Sequence, residues 1–438
     1  MGNVYKINNK VPKIGNKVFA SSSTLTFSTH ITSTVFPTLG GVGTQIPYII
    51  LDFDSPQTIT VNYGDSQIIS YNTFLSSISG LHRIRFSTGA NVGEIGAIAP
   101  RTFLNSGVVR NVFISFNKSA LKTIQIYGLQ GLNYQSFIFP FSEYANLEIL
   151  DLQSINISTS TQRAFSSLDF RNIENSKLIF LGLRNVFRTT SEFYTKIDTR
   201  VFQLSLKTLI ISGEYQNYTT SNAALIGTEL ADTLENLTFS VPITQANGLP
   251  SSFANLIHMK SFTMVSITTS FNLISFPIVA NNWLNLEEFL FNVNTGNSAM
   301  TSFACNFSNM PKLKLFSMWG NITNLTDFTF ISQLQSQIKT ISLTGISNAS
   351  KMTTVINELY NLITSKASIT GNNTLPYRGI KIELESVNGW TAAVIPTGIY
   401  QAPSGYVKEV SNGIPANDLH RIFVLVDQYN CNITYRTV

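Results

Sequence analysis

Charge is the scarcest property of this 438-residue chain: Asp, Glu, Lys and Arg together make up 12% of it, about half the share usual in soluble domains. Solubility therefore falls to Asn, Ser and Thr. The 29 basic residues outnumber the 24 acidic ones, but they are scattered, and no run of Lys or Arg forms a track for phosphates, which argues against nucleic-acid binding. Cysteine is nearly absent. Cys305 and Cys431 lie in separate regions with no pairing indicated, and His30, His82, His258 and His420 are isolated from one another and from both thiols. No zinc spacing exists, and neither a metal nor another cofactor is expected. No stretch approaches about eighteen uninterrupted apolar residues, so no membrane insertion is expected. The start, Met1 to Lys6, lacks the basic and apolar blocks of a secretory signal, and Lys6 stands where a myristoylation site needs Ser or Thr. Sequons at Asn156, Asn217, Asn236, Asn306 and Asn321 are read as chance in so Asn- and Thr-rich a chain.

What the chain does have is a repeat. The pattern apolar-x-x-apolar-x-apolar occurs as Leu81-Ile84-Phe86, Leu121-Ile124-Ile126, Leu147-Leu150-Leu152, Leu178-Leu181-Leu183 and Leu206-Leu209-Ile211. It continues as Leu234-Leu237-Phe239, Met259-Phe262-Met264, Leu286-Phe289-Phe291, Leu313-Phe316-Met318 and Ile338-Ile341-Leu343. From Leu121 onward the starts lie 26, 31, 28, 28, 25, 27, 27 and 25 residues apart, a period that stacked repeats explain. In a strand the alternation sends the last two apolar side chains to one face and their neighbours to the other. Stacked strands then form a parallel sheet, and each return must close the core on the opposite side. The returns differ: Thr161 to Leu168 reads as a short helix, and the apolar, Pro-bearing stretch Thr268 to Ala280 as extended or 3₁₀.

The fold class expected is a β-rich α/β solenoid with three parts. Residues 1–80 read as a β-rich N-terminal cap or attachment region, with alternation at Thr24–Ser28, a turn at Gly40-Gly41, a strong strand at Ile46–Phe53, and a hairpin turn at Gly64-Asp65 after Thr58–Tyr63. Residues 81–345 are the repeats. Val109-Val112-Ile114 fits the template only 12 residues before Leu121, so one of those two strands is expected to lie outside the ladder or to belong to the hairpin of an inserted loop. Residues 346–438 read as a small α/β cap or domain. It comprises a helix over Lys351–Lys366, a strand at Ile380–Leu384 and a helix capped by Asn417 or Asp418 that buries Leu419, Ile422, Phe423 and Val426, then a strand at Asn432–Arg436.

On its ten quoted segments the chain resembles the leucine-rich-repeat superfamily over roughly residues 81–345. The resemblance implies an irregular leucine-rich-repeat parallel sheet. In the typical repeat an Asn three positions after the last apolar strand residue builds a hydrogen-bonded ladder, and here only Asn294 and Asn321 match. The segments Gly398–Tyr406, Asn412–Pro415 and Ile422–Leu425 look like the ends of structural and tail-associated phage proteins. That likeness implies a virion protein made in the host cytoplasm, with other virion proteins or a host surface receptor as partners and homo-oligomers as the working state. The alternatives are a bacterial cell-surface leucine-rich-repeat adhesin and a glycan-active enzyme on a β-solenoid.

Catalysis finds poor candidates. Glu287 and Glu288 are adjacent, so on a strand they point to opposite faces. Asp52 and Asp54 share a face but read as solvated acids near a turn. No Gly-x-Ser-x-Gly elbow or phosphate-cradling loop is present, and a non-enzymatic role is expected. Binding is better served, because the strand face of stacked repeats presents side chains at fixed intervals. Its outward positions include Arg85, Gln125, Asp151, Gly182, Ile210, Thr238, Thr263, Leu290, Ser317 and Ser342, and beyond them Tyr127, Gln153, Arg184, Ser212, Ser240, Asn292 and Trp319. Hydroxyls, amides and a few aromatics suit a glycan or a neutral protein surface. The candidate binding residues are Trp319, Tyr127, Arg184, Gln125, Gln153, Asn292 and Ser317. Trp283 and Trp390 are assigned to returns or to the terminal core.

Overall fold

Five-residue segments rich in Leu, Ile, Phe and Thr, each bounded by polar residues, have little alternative to a strand with one buried face. The structure, a computed structural model, bears this out. It describes residues 13–14, 17–18, 24–29, 35–36, 48–77, 79–87, 97–98, 101–102, 110–127, 144–153, 177–184, 202–212, 220–240, 249–265, 273, 275–293, 300–320, 324–346, 348–385 and 400–436. Gly40-Gly41, Thr161–Leu168, Asn156, Asn217, Asn294, Asn321, Gly398 and Trp390 lie outside them. The described chain is β-rich, a mostly parallel sheet with few helices. It divides into two units, residues 1–188 with 195–204 and residues 189–194 with 205–438.

The longer strands of the first unit are β1 (Thr24–Thr29), β2 (Tyr48–Phe53), β3 (Thr58–Asn62), β4 (Ile68–Asn72), β5 (His82–Ser87), β6 (Arg110–Ser115), β7 (Leu121–Tyr127), β8 (Ile149–Gln153) and β9 (Phe180–Arg184). β7, β8 and β9 pair in parallel, in register, 26 to 31 residues apart in sequence. On the other side of β7 the direction reverses: β2 is antiparallel to β7, and β5 is antiparallel to β2. The triplet Leu81-Ile84-Phe86 therefore belongs to the sheet without being a stacked repeat. Its alternation buries Ile84 and Phe86 just as a repeat strand would, and alternation carries no information about direction. β6 sits in a separate antiparallel sheet of order β1-β6-β3-β4, so Val112 and Ile114 are the pair outside the ladder.

The second unit carries β10 (Thr208–Ser212), β11 (Asn236–Ser240), β12 (Ser261–Val265), β13 (Glu288–Val293), β14 (Leu315–Gly320), β15 (Thr340–Thr344), β16 (Lys381–Glu385) and β17 (Asn432–Arg436). All pair in parallel with the next. Parallel neighbours need a crossover, and two kinds serve, α-helices and 3₁₀ turns. Helix α1 (Thr220–Glu229) joins β10 to β11. Short 3₁₀ turns at Ser251–Asn255, Ile278–Asn282, Phe307–Asn309 and Thr329–Gln333 return the next repeats. Helices α2 (Ala349–Lys366) and α3 (Asp418–Asp427) make the last two crossovers.

Between sheet and 3₁₀ turns runs a column of rings. Phe289 stacks on Phe316 at 5.5 Å and 5°, and Phe276, Phe303, Phe307 and Phe330 fill the space around them edge-on or tilted. Trp283 is fully buried and donates its indole N–H to the Phe253 carbonyl at 2.9 Å. Asparagines tie neighbouring repeats together, but from the returns: Asn146, Asn282 and Asn285 donate to the carbonyls of Ser119, Ala254 and Ile257. α1 is absent from the sequence expectations because Gly227 sits inside it. That glycine is required by packing, since a Cβ there would stand 2.3 Å from the backbone of Ser252 on the next return.

β16 and β17 prolong the parallel sheet of this unit. Asn348 caps α2 and Asn417 caps α3, each side chain accepting a backbone amide of the first turn. The buried face of α3 is Ile422, Val424 and Leu425, whereas Val426 is 39% exposed. In the unbroken apolar run Ile422–Val426 no polar residue marks the outer side, so the sequence does not choose the face. Phe423 instead meets Tyr406 edge-on at 5.2 Å.

Candidate functional site

The outward positions of the strands line up in rows because each pair is in register. In the first unit one row runs Arg85, Ile50, Gln125, Asp151, Gly182, and the next runs Tyr48, Tyr127, Gln153, Arg184. A third row places Arg83 beside Asp52 and Asp52 beside Thr123. The second row is a run of planar groups. Tyr48 and Tyr127 stack at 4.9 Å and 5°, and the Arg85 guanidinium lies 5.1 Å from the Tyr48 centroid. Because β2 lies between β5 and β7, Arg85 and Tyr127 cover opposite faces of Tyr48. Both faces of the Tyr48 ring are thus covered, and both rings are half-buried.

Two ion pairs flank the stack. Arg184 donates from Nε and Nη2 to the two oxygens of Asp151 at 3.1 and 3.4 Å, and Arg83 donates likewise to Asp52 at 2.7 and 3.0 Å. Asp52 is buried, at 2% exposure, which corrects its reading as a solvated acid; Asp54, one residue beyond β2, is exposed. The correction follows from the antiparallel register that sets Arg83 across from Asp52. Burial pushes the Tyr48 phenol above its ordinary range, with the Asp151 charge and Tyr127 adding to the effect and Arg85 and Arg184 opposing it.

Of the candidate residues, Gln125, Tyr127, Gln153 and Arg184 come together on this face. Asn292, Ser317 and Trp319 form a second group in the other unit. There Asn292 pairs with Trp319, and Ser317 pairs with Leu290 on one side and Ser342 on the other. All three candidates are half-buried. Ile210, Ser240 and Ser342, read as outward, are buried at 8%, 2% and 9% exposure. Ser240 is drawn in because its hydroxyl accepts the Val265 amide at 3.0 Å, where the β11–β12 ladder has ended.

Sequence reasoning missed Tyr48, Asp52 and Arg83 as parts of the site. The strand signal around Tyr48 was visible, but the direction of its pairing and its partner are long-range facts. Among the described residues no three His, Cys, Asp or Glu converge as metal ligands, and no helix is long and apolar enough to cross a membrane. The face offers hydrogen bonds from amides, phenols and guanidinium groups at fixed spacing on a preformed sheet. No protein-family model matches the chain, and no curated protein matches it in sequence.

Proposed function

We propose that this chain is a non-enzymatic recognition and assembly protein, a divergent leucine-rich-repeat-like solenoid whose strand face contacts other proteins or a host-surface glycan or protein. The observation that carries this reading is the Tyr48–Tyr127 stack, covered by Arg85 on the other face of Tyr48, with the Asp151–Arg184 pair in register on the next strands of the same sheet. Preformed aromatic and bidentate groups lose little conformational entropy on binding. The setting proposed is the virion of a bacteriophage, tail- or capsid-associated, in a homo-oligomer or larger particle. It is supported by the scarcity of charge and by the likeness of the segments Gly398–Tyr406, Asn412–Pro415 and Ile422–Leu425 to tail-associated proteins.

The test has two arms. A mass-spectrometric inventory of purified phage particles should contain the chain, and the purified protein should bind host cells. Replacing Tyr127 and Trp319 by Ala in turn should weaken that binding about tenfold or more at one of the two positions. Absence from particles would remove the virion setting, and undiminished binding in both variants would remove the strand face.

A further inference from the structure

One core row of the second unit is closed at every strand but the last. It begins at Leu209 and runs in register, one residue per strand, to Ile382, and each member is at most 1% exposed. The next member, Ile433 on β17, pairs with Ile382 and is only half-buried. β17 pairs with β16 on one side, and among the described residues no strand pairs with its other side. A repeat array needs its end covered, and an edge strand is ordinarily blunted by Pro, Lys or a bulge. Asn432-Ile433-Thr434-Tyr435-Arg436 has none of these, and its one charge stands at its end.

The open edge has a definite hydrogen-bonding phase. The Asn432 amide donates to the Ile380 carbonyl at 3.0 Å, so alternation turns the backbone N–H and C=O of Asn432, Thr434 and Arg436 toward β16 and those of Ile433 and Tyr435 outward. Among antiparallel registers with two-fold symmetry, the one centred on Thr434 uses all of these outward groups. Ile433 and Tyr435 of one copy then exchange both their backbone hydrogen bonds with Tyr435 and Ile433 of the other. The same register sets position 436 opposite Asn432, so no arginine stands opposite an arginine, and it sets Thr434 against itself, a favourable cross-strand pair.

Apolar surface is also displayed at this end of the sheet. The loop before α3 exposes Val407, Val410 and Ile414 at 53%, 72% and 82%, and it is tied down where Tyr406 donates to Asp427 and Asn412 donates to the Tyr429 hydroxyl. We infer that the outer edge of β17 is a self-association surface, on which a second copy of this chain lays its own β17 antiparallel and joins the two sheets into one. The exposed aliphatic loop is the flank of that contact. The inference rests on the homo-oligomeric part of the function proposed above and makes no use of the Tyr48–Tyr127 face.

Sedimentation of the full chain reads the dimer, and disulfide trapping reads its register. Wild type should sediment as a dimer at about 20 μM. Thr434→Lys, at an exposed position off the core, sets two ammonium groups against each other at the two-fold axis and should weaken the dimer at least about tenfold. Its urea midpoint at about 0.1 μM, where both proteins are monomeric, should equal that of wild type. Thr434→Cys should give a covalent dimer with oxidised glutathione, since residues paired at that position lie about 4.5 Å apart between Cα atoms, within disulfide reach. Lys381→Cys, exposed but one strand in from the edge, should not, and wild type is the blank because Cys305 and Cys431 are buried. The inference is overturned if wild type stays monomeric to about 100 μM, if Thr434→Lys dimerises as wild type does, or if Lys381→Cys is trapped as readily as Thr434→Cys. A monomeric wild type that still binds host cells would remove this interface and leave the strand face, whereas a trapped dimer that binds no host cell would keep this interface and remove the strand face.

Discussion

The carboxylate of Asp151 lies over the bare Cα of Gly182, its cross-strand neighbour: a Cβ on Gly182 would stand 2.1 Å from Asp151 Oδ1. Only that absence of a side chain lets Asp151 lean across the row to meet Arg184 two residues further along the strand. Replacing Gly182 by Ala should push Asp151 aside and break the pair, at a net cost of about 1–2 kcal/mol, the pair itself being partly solvated. In an Asp151→Ala background the same substitution should become neutral or stabilising by about 0.5–1 kcal/mol, since Ala suits a strand better than Gly does. Urea unfolding of the four proteins reads both signs. A similar cost in both backgrounds would mean that the carboxylate is not the obstacle.

The Asp52–Arg83 pair makes a second test. With Asp52 almost wholly buried and Arg83 about one quarter exposed, removing the carboxylate charge leaves a guanidinium partly cut off from water. Asp52→Asn should cost about 2–3 kcal/mol, somewhat less than for a fully buried pair. The double variant Asp52→Asn with Arg83→Met should recover part of that loss. If the two single losses simply add, the ion pair contributes nothing beyond packing.

Protons held by buried Cys305 and Cys431 and by half-buried Tyr406 predict an alkaline limit to stability. Burial pushes the Cys431 thiol up to about 12 and the Cys305 thiol higher still, and burial together with the hydrogen bond to Asp427 raises the Tyr406 phenol. The folded chain keeps these protons while the unfolded chain releases them, beginning near the ordinary thiol value of about 8.5. Stability from these groups is therefore full below that range and declines as pH rises through the folded values. The urea midpoint should fall between about pH 8 and pH 11. A thiol reagent should find neither of the two cysteines in the native protein and both after unfolding. Fast native labelling, or a midpoint flat to pH 11, would contradict this account.

Much of the fold was legible. The nine triplets from Leu121 to Leu343 named the core-facing residues of the parallel strands, because a period of two inside a period of about 27 specifies a strand that recurs on one face. The two C-terminal helices and the strand after each were visible through their caps and periodicity. Half of the first unit's site was legible as well: outward Gln125, Tyr127, Gln153 and Arg184 follow directly from the alternation. Its other half, Tyr48, Asp52 and Arg83, was not, because β2 and β5 enter the sheet in the opposite direction.

What the amino-acid order determined by itself is which side chains point inward and how often a strand returns, since both depend on local alternation and on spacing along the chain. The tertiary structure alone decided strand direction and register, and with them every contact between residues far apart in sequence: Tyr48 on Tyr127, Asp151 over Gly182, Lys339 next to Lys314. Those contacts arise from hydrogen bonding between backbones of different strands, to which each segment contributes only half.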